Sequence, residues 1–254
     1  ALPGERRIVH LNDRTGSHAA DRIRVDFVAN ASHELRTPLA SILGFIETLE
    51  GAADDPETRT RFLRVMDNEA RRMQRLIDDL MSLSRIEAEK YRAPDDSVDL
   101  PELADEVQAE LAALAPDRAA DIVIDSDAIA PVRGDRVQLS QLLHNIVGNA
   151  MKYGRDGSPV TVSLRSAGES MVRLSVTDEG EGIAPEHLPR LTERFYRIDS
   201  SRSRAAGGTG LGLAIVKHIV ERHRGRLDIS STVGTGTTVA IVLPAAALPG
   251  SVSS

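Results

Sequence analysis

The sequence predicts an antiparallel helical hairpin followed by a mixed α/β domain. Between about residues 21 and 90, apolar residues recur at steps of three and four, the signature of amphipathic helix. Beyond residue 98, short alternating runs are interleaved with helical ones, the pattern of paired strands crossed by helices. Glycine-rich segments are confined to this second half: Gly180–Gly182, Gly207–Gly212 and Gly234–Gly236.

Composition narrows the function. The 254 residues carry a net charge of −7, which argues against a general nucleic-acid binder. Aromatics are 3% with no Trp, so the core is aliphatic and base-stacking platforms are not expected. With no Cys, disulfides, thiol catalysis and thiolate metal sites are excluded. No apolar stretch approaches the roughly 18 residues that span a bilayer, and no signal peptide is visible. The sequence starts at Ala1 without an initiating Met, so a piece of a longer protein is expected, with any membrane anchor upstream.

Ile8-Val9-His10-Leu11 reads as a short strand before Asn12-Asp13. A first helix is expected from about Asp21, with Val28, Ala31, Leu35, Leu39, Ile42, Ile46 and Leu49 forming a heptad-like seam that Gly51 ends. Asp55 is an N-cap and Pro56 the first residue of a second helix running to about Lys90. Its seam is Phe62, Met66, Met73, Leu76, Leu80 and Leu83, interrupted by Glu69. A short loop joins the two, so they pack antiparallel. One hairpin leaves half its seam uncovered, and pairing two hairpins into a four-helix bundle buries it. A homodimer is therefore expected, over a monomer whose seam is covered by the C-terminal half.

Residues 93–97 read as a linker around Pro94-Asp95-Asp96, able to permit a domain swing. Helices are expected over Leu100–Ala115, Val137–Tyr153 and Leu211–His223, and strands at Ile122–Ile124, Val160–Leu164, Val172–Thr177, Leu227–Ser231 and Thr238–Leu243. The tail at Pro249–Ser254 reads as disordered. The domain limits are thus 1–20 upstream, 21–92 hairpin, 93–97 linker, 98–246 α/β domain and 247–254 tail.

His33 lies in the run Ser32-His33-Glu34-Leu35-Arg36-Thr37-Pro38. It precedes seam residue Leu35 by two positions, about 200° of helix rotation, so its imidazole faces solvent. Thr37 follows four residues later on the same face. Pro38 has no N–H for the carbonyl of Glu34 and is expected to kink the rod there. A neutral imidazole is a nucleophile near physiological pH, and Glu34 is the nearest carboxylate to take its ring proton as a general base. An isolated surface His is the bland alternative; the neighbouring Glu34, Thr37 and Pro38 weigh against it.

Four later segments suit a nucleotide. Asn145, Asn149, Lys152 and Tyr153 share one helix stripe; amide oxygens suit Mg²⁺, and Lys supplies a phosphate counter-charge. Asp178-Glu179-Gly180-Glu181-Gly182-Ile183 offers a carboxylate for an adenine amino group beside glycines that admit a ring. Gly208-Thr209-Gly210-Leu211-Gly212 opens a helix, where backbone N–H groups favour phosphate. It is neither a P-loop nor a dinucleotide fingerprint. Gly234-Thr235-Gly236-Thr237 is a turn. Between the second and third lies an irregular stretch, about 190–206, with Arg194, Arg197, Arg202 and Arg204 available to a γ-phosphate and Phe195 to latch a lid.

Taken together and in this order, these segments resemble the sensor histidine kinases of two-component systems. Ser32–Pro38 is similar to the H box, Asn145–Tyr153 to the N box, Asp178–Gly182 to G1, Glu193–Arg197 to the F box, Gly208–Gly212 to G2 and Gly234–Thr237 to G3. The surroundings of His33 and the lid most resemble the phosphate-regulon subgroup, and residues 8–15 resemble the closing strand of a PAS sensor domain. The resemblance implies a dimerisation and histidine-phosphotransfer hairpin followed by an ATP-binding α/β sandwich of the GHKL (Bergerat) type. It implies that His33 accepts phosphate from ATP·Mg²⁺ and passes it to an Asp of a response-regulator receiver domain. By the same resemblance Asn149, with Asn145, holds Mg²⁺, Asp178 reads adenine, and Thr37 orients a water in a phosphatase reaction. Ile183, Phe195, Tyr196, Thr209, Leu211 and Thr237 join the nucleotide-binding set, and Arg197 and Arg204 the catalytic one. The implied setting is the cytoplasmic side of a bacterial inner membrane. Two competing readings are a scaffold that binds nucleotide without phosphoryl transfer and a chaperone- or topoisomerase-type ATPase; intact His33, Glu34 and Asn149 oppose the first, and the hairpin bearing His33 opposes the second.

Overall fold

A computed structural model describes residues 15–51, 55–89, 91–168, 170–198 and 208–246, with side chains from Phe27 to Leu49 and from Asp55 onward. The expected strand at Ile8–Leu11, the tail, Arg202 and Arg204 lie outside the described residues. The chain divides into two compact units, Ala1–Met73 and Gln74–Ser254.

In the first unit, α1 (Thr15–Gly51) is followed by the start of α2 (Pro56–Ala88). The first helix begins ahead of the expected Asp21, since Ala19-Ala20 are strong helix formers. Asp55 caps α2 as expected: its carboxylate accepts from the Glu57 N–H at 3.0 Å and the Thr58 hydroxyl at 2.6 Å. These bonds, that of Thr58 above all, hold its pKa below the usual carboxylate value. Two contacts fix the antiparallel sense. Phe45 meets Phe62 with ring centroids 5.0 Å apart, and Glu34 pairs with Arg72 at 2.7 Å, so moving back along α1 is moving forward along α2. Val28, Leu39 and Ile46 on the α1 seam stay exposed at 59%, 46% and 42%, an apolar stripe left uncovered among the described residues.

The division between the units falls inside α2, ahead of the linker that composition indicated. The last turns of α2 are bound into the second unit: Leu83 and Ile86 are buried, the Ser82 hydroxyl donates to Gln141 at 2.6 Å, and Arg222 reaches Glu89 at 2.7 Å. The linker is also partly structured. Strand β1 (Ser97–Val98) pairs antiparallel with β3 (Val132–Arg133).

The second unit continues with α3 (Leu100–Leu114), β2 (Ile122–Ser126), α4 (Arg136–Tyr153), β4 (Val160–Ser166), β5 (Met171–Asp178), α5 (Gly212–Arg222), β6 (Arg226–Thr232) and β7 (Gly236–Pro244). Asp99 and Asp135 cap α3 and α4 through their side-chain oxygens. Among the described residues, five strands form one mixed sheet in the order β2-β4-β5-β7-β6, parallel only between β2 and β4. Strand β5 alternates: Val172, Leu174, Val176 and Asp178 are buried, whereas Arg173 and Thr177 are exposed. The helices α3, α4 and α5 pack together on the inner side, with Leu139, Leu142, Ile146 and Ile215 at its centre. Each such fully buried Leu or Ile stabilises the fold by about 1.5–3 kcal/mol. Among the described residues no helix is long and apolar enough to cross a membrane.

A buried histidine ties α5 to α4. His223 is 3% exposed; its Nε2 accepts from the Asp135 N–H at 3.0 Å and its Nδ1 donates to the Ile219 carbonyl at 2.7 Å. The bond that Nε2 accepts requires the neutral ring, and burial holds its pKa below the ordinary value, against the pull of the Ile219 carbonyl. Because the folded pKa is depressed, the unfolded chain binds the proton first. Stability is therefore expected to fall as pH drops below about 6.5. Thermal melts between pH 8 and 5.5 check this, with a smaller loss expected for His223→Gln.

Candidate active site

In the first unit the imidazole of His33 is exposed, as its offset from the seam requires. The Thr37 hydroxyl donates to the His33 carbonyl at 3.2 Å, and the Ser32 hydroxyl to the Val28 carbonyl at 2.8 Å, so both back-bond along the helix. Helix α1 runs unbroken through Pro38, whose ring is buried. Glu34 faces α2. Its Oε2 accepts from Arg72 Nη2 at 2.7 Å, and Arg72, only 8% exposed, also lies 3.7 Å from Glu69. Arg72 is the residue that periodicity missed; Glu69, read as an interruption of the seam, is the trace it left.

In the second unit the nucleotide segments converge. Asp178 ends β5 at 9% exposure, and its Oδ1 accepts from the Gly180 N–H at 2.8 Å. Burial raises its pKa, against the pull of the Gly180 and Thr237 backbone N–H groups. A Cβ on Gly180 would meet the Tyr153 carbonyl at 2.2 Å, which joins this segment to the end of α4. Gly182, at φ 68°, lies so close to Thr232 that a Cβ would come within 2.0 Å of its carbonyl oxygen. The Ile183 N–H donates to Ser231 Oγ at 2.9 Å, and that oxygen lies 2.9 Å from Thr237 Oγ1. The Gly234 N–H donates to the Glu181 carbonyl at 2.7 Å. The β6–β7 turn, which alone reads as a plain hairpin, is thus bonded to the Asp178 segment.

The third glycine segment completes the cluster. A Cβ on Gly212, at the start of α5, would meet Asn145 Oδ1 at 3.0 Å. Asn145 Nδ2 is buried with no hydrogen-bond partner among the described residues. Asn149 lies one turn further along the same stripe of α4, and Lys152 Nζ stands 4.8 Å over the Tyr153 ring. Gly210 has φ 75°, and its carbonyl accepts from the Phe195 N–H at 2.8 Å. Phe195 itself holds φ 65°, rare for a bulky residue. A Cβ on Gly210 would also meet Arg197 Nε at 3.2 Å. Tyr196 is anchored by His187 Nδ1 at 2.7 Å and by the Arg190 guanidinium 4.2 Å over its ring. Gly208 and buried Leu211 flank Thr209, whose hydroxyl donates to Asp79 Oδ2 at 2.6 Å. Burial raises the Asp79 pKa, partly opposed by that hydroxyl. Arg194, one of the arginines available to a γ-phosphate, is ion-paired with Glu87.

The cluster therefore joins an amide side chain, a buried carboxylate beside close-packed glycines, and a glycine-led helix start, parts that suit a purine nucleoside triphosphate. Comparison with known proteins agrees. Residues 134–247 match the histidine kinase-, DNA gyrase B- and HSP90-like ATPase family, and residues 23–89 match the His Kinase A (phospho-acceptor) domain. The solved mycobacterial sensor histidine kinase MprB is 31% identical, aligned over 61% of this chain and 99% of its own, with a TM-score of 0.51. The chain belongs to the sensor histidine kinase family. Within it, the phosphate regulon sensor protein PhoR of Pseudomonas aeruginosa is 44% identical over 229 residues, 90% of this chain and 52% of the relative. The chain thus spans about half the length of that relative and resembles the phosphate-regulon sensors. Full-length ShkA, solved in complex with AMPPNP, is 26% identical over 87% of this chain and 46% of its own, with a TM-score of 0.61.

Proposed function

We propose that this chain is the kinase core of a two-component sensor, which phosphorylates His33 from ATP and passes the phosphoryl group to an Asp of a response-regulator receiver domain. The observation that carries it is the pairing of a solvent-facing His33, next to Glu34 and Thr37, with a convergent cluster of Asn145, Asp178, Gly180, Gly182 and Gly212 in the other unit. Asp178 accepts from the adenine amino group, and Gly180 and Gly182, packed against the Tyr153 and Thr232 backbone, hold the segment that follows it in place. The N–H groups at the start of α5 and Lys152 meet the phosphates. Asn149 and Asn145 supply the oxygen ligands for Mg²⁺, which when bound neutralises phosphate charge. An imidazole nitrogen of His33 forms the new N–P bond as the bond between the γ-phosphorus and the leaving ADP oxygen breaks. ADP keeps that electron pair, and the ring proton passes to the Glu34 carboxylate. Arg197 belongs to the lid over this cluster, and Arg204 is carried in the same role by resemblance.

The same proposal includes a phosphatase activity with Thr37 placing a water, and a homodimer through the hairpin, for which the exposed seam at Val28, Leu39 and Ile46 provides the surface. It places the chain on the cytoplasmic side of a bacterial inner membrane, tethered through an upstream segment. Incubation with γ-labelled ATP and Mg²⁺ tests it: acid-labile, base-stable label on the chain that chases to a receiver domain is expected. Acid-stable label on Ser or Thr would overturn it.

The Asp79–Thr209 bond adds a prediction. A carboxylate beside the phosphate-binding turn opposes an incoming polyphosphate, so Asp79→Ala is expected to tighten ATP binding by about threefold to tenfold, roughly 0.7–1.4 kcal/mol. Titration calorimetry checks this. The gain should shrink at acid pH, because the raised pKa neutralises Asp79 above the ordinary Asp value of about 3.9.

A further inference from the structure

Glu34 has to be near the His33 ring to take its proton, yet its carboxylate is engaged across the hairpin. Arg72 Nη2 lies 2.7 Å from Glu34 Oε2, with the Arg72 side chain 8% exposed and that of Glu34 29% exposed. The same guanidinium is shared. Its Nη1 stands 3.7 Å from Glu69 Oε2, which is beyond hydrogen-bond reach, and both Glu69 Oε2 and Arg72 Nε are buried with no hydrogen-bond partner among the described residues. A buried charge of one sign thus lies between two carboxylates of the other, well bonded to one and poorly to the other. The second arrangement, with the guanidinium turned fully onto Glu69, gives Arg72 and Glu69 the bonds they lack and removes the Arg72 bond from Glu34. Glu69 lies three residues before Arg72 on α2, so the transfer needs only side-chain rotation on a neighbouring pair.

We propose that Arg72 is a positioning residue for the phosphoryl-accepting histidine: it holds the Glu34 carboxylate on the α2 side of α1, and its transfer to Glu69 frees Glu34 to reach the His33 ring. This rests on the assignment of His33 as acceptor and Glu34 as its base. A carboxylate bound to a guanidinium at short range is pre-empted as a proton acceptor, and a cation shared between two carboxylates has two seats that compete for it. The chemistry of the step is unchanged; Arg72 sets how often Glu34 is available for it.

The test is the initial rate of His33 labelling in the full chain as ATP is varied. Arg72→Gln is expected to raise the rate at saturating ATP threefold to tenfold with the ATP KM unchanged. Arg72→Lys, which keeps a cation, should stay within twofold of the parent. Glu69→Gln, which removes the alternative seat, should lower the rate twofold to fivefold. In the Glu34→Gln background Arg72→Gln should bring no gain, a dependence that a merely structural role of Arg72 does not produce. An Arg72→Gln chain that keeps its helical circular dichroism but labels no faster than the parent overturns the proposal, as does a gain that survives in Glu34→Gln. If Arg72→Gln does not fold, Glu69→Gln decides: a reduced rate supports the proposal and an unchanged rate overturns it. Absence of label on the parent chain would remove the kinase reading and this proposal with it, whereas parent label with no response to Arg72 or Glu69 removes the proposal alone.

Discussion

His33→Gln is expected to abolish acid-labile phosphate on the chain while leaving ATP affinity within about twofold of the parent. The two readouts separate because the imidazole is exposed on α1, whereas the residues proposed to hold the nucleotide belong to the other unit. Glutamine matches the ring in length and is a good helix former, and exposed substitutions of this kind usually change stability by no more than about 0.5 kcal/mol. The loss is then chemical: no other group in the Ser32–Pro38 run offers a neutral nitrogen that can form an N–P bond. Asn149→Ala should abolish labelling by the other route, through lost ATP·Mg²⁺ binding. Mixing the two variants gives an informative third result. If the proteins pair through the exposed seam, a His33→Gln subunit can supply nucleotide to the intact His33 of an Asn149→Ala partner, and label returns only if transfer runs between subunits. Filter-bound radioactivity after acid and alkali washes reads all three. Undiminished label on His33→Gln would remove His33 from the reaction.

Where periodicity is long, the sequence specified its structure legibly. The strands β4 and β5 pair across Val162↔Val176 and Leu164↔Leu174, so their alternation belongs to one buried face. The solvent-facing imidazole followed from a rotation of two residues. What stayed hidden was set by partners far apart in the chain. Strands of two residues, such as Ser97–Val98 and Val132–Arg133, have no period to detect, and they exist because they find each other. Arg72 reads as one more surface cation until Glu34, 38 residues away, is brought against it. Thr209 and Asp79 are 130 residues apart. Arg194 looks equally suited to phosphate or carboxylate, and the fold supplies Glu87. The glycines divide in the same way. Sequence shows that Gly182 and Gly234 tolerate turns, but only the fold shows that one is pressed against backbone and the other is open.

That contrast yields the largest expected stability effect. Gly182→Ala places a Cβ on a residue at φ 68°, 2.0 Å from the Thr232 carbonyl oxygen and 2.9 Å from the Val233 Cα. Both are backbone atoms of the β6–β7 hairpin, so neither yields by a side-chain rotation. Left-handed strain costs about 1–2 kcal/mol and forced repacking about 1–3 kcal/mol more, for a total of about 2–5 kcal/mol. Gly234→Ala isolates the first contribution, because its φ is 82° and nothing lies within 4 Å of its added carbon. Gly148→Ala isolates neither: Gly148 sits inside α4 with nothing within 4 Å, and replacing it should stabilise by about 0.5–1 kcal/mol. Urea midpoints for the three variants should therefore fall in the order Gly148→Ala, parent, Gly234→Ala, Gly182→Ala. The last should also lose ATP binding, since the Glu181 carbonyl and the Ile183 N–H on either side of Gly182 hold the Asp178 segment to the hairpin. If Gly182→Ala were no less stable than Gly234→Ala, the close approach of the Asp178 segment to Thr232 would be wrong, and with it the shape assigned to the adenine end of the site.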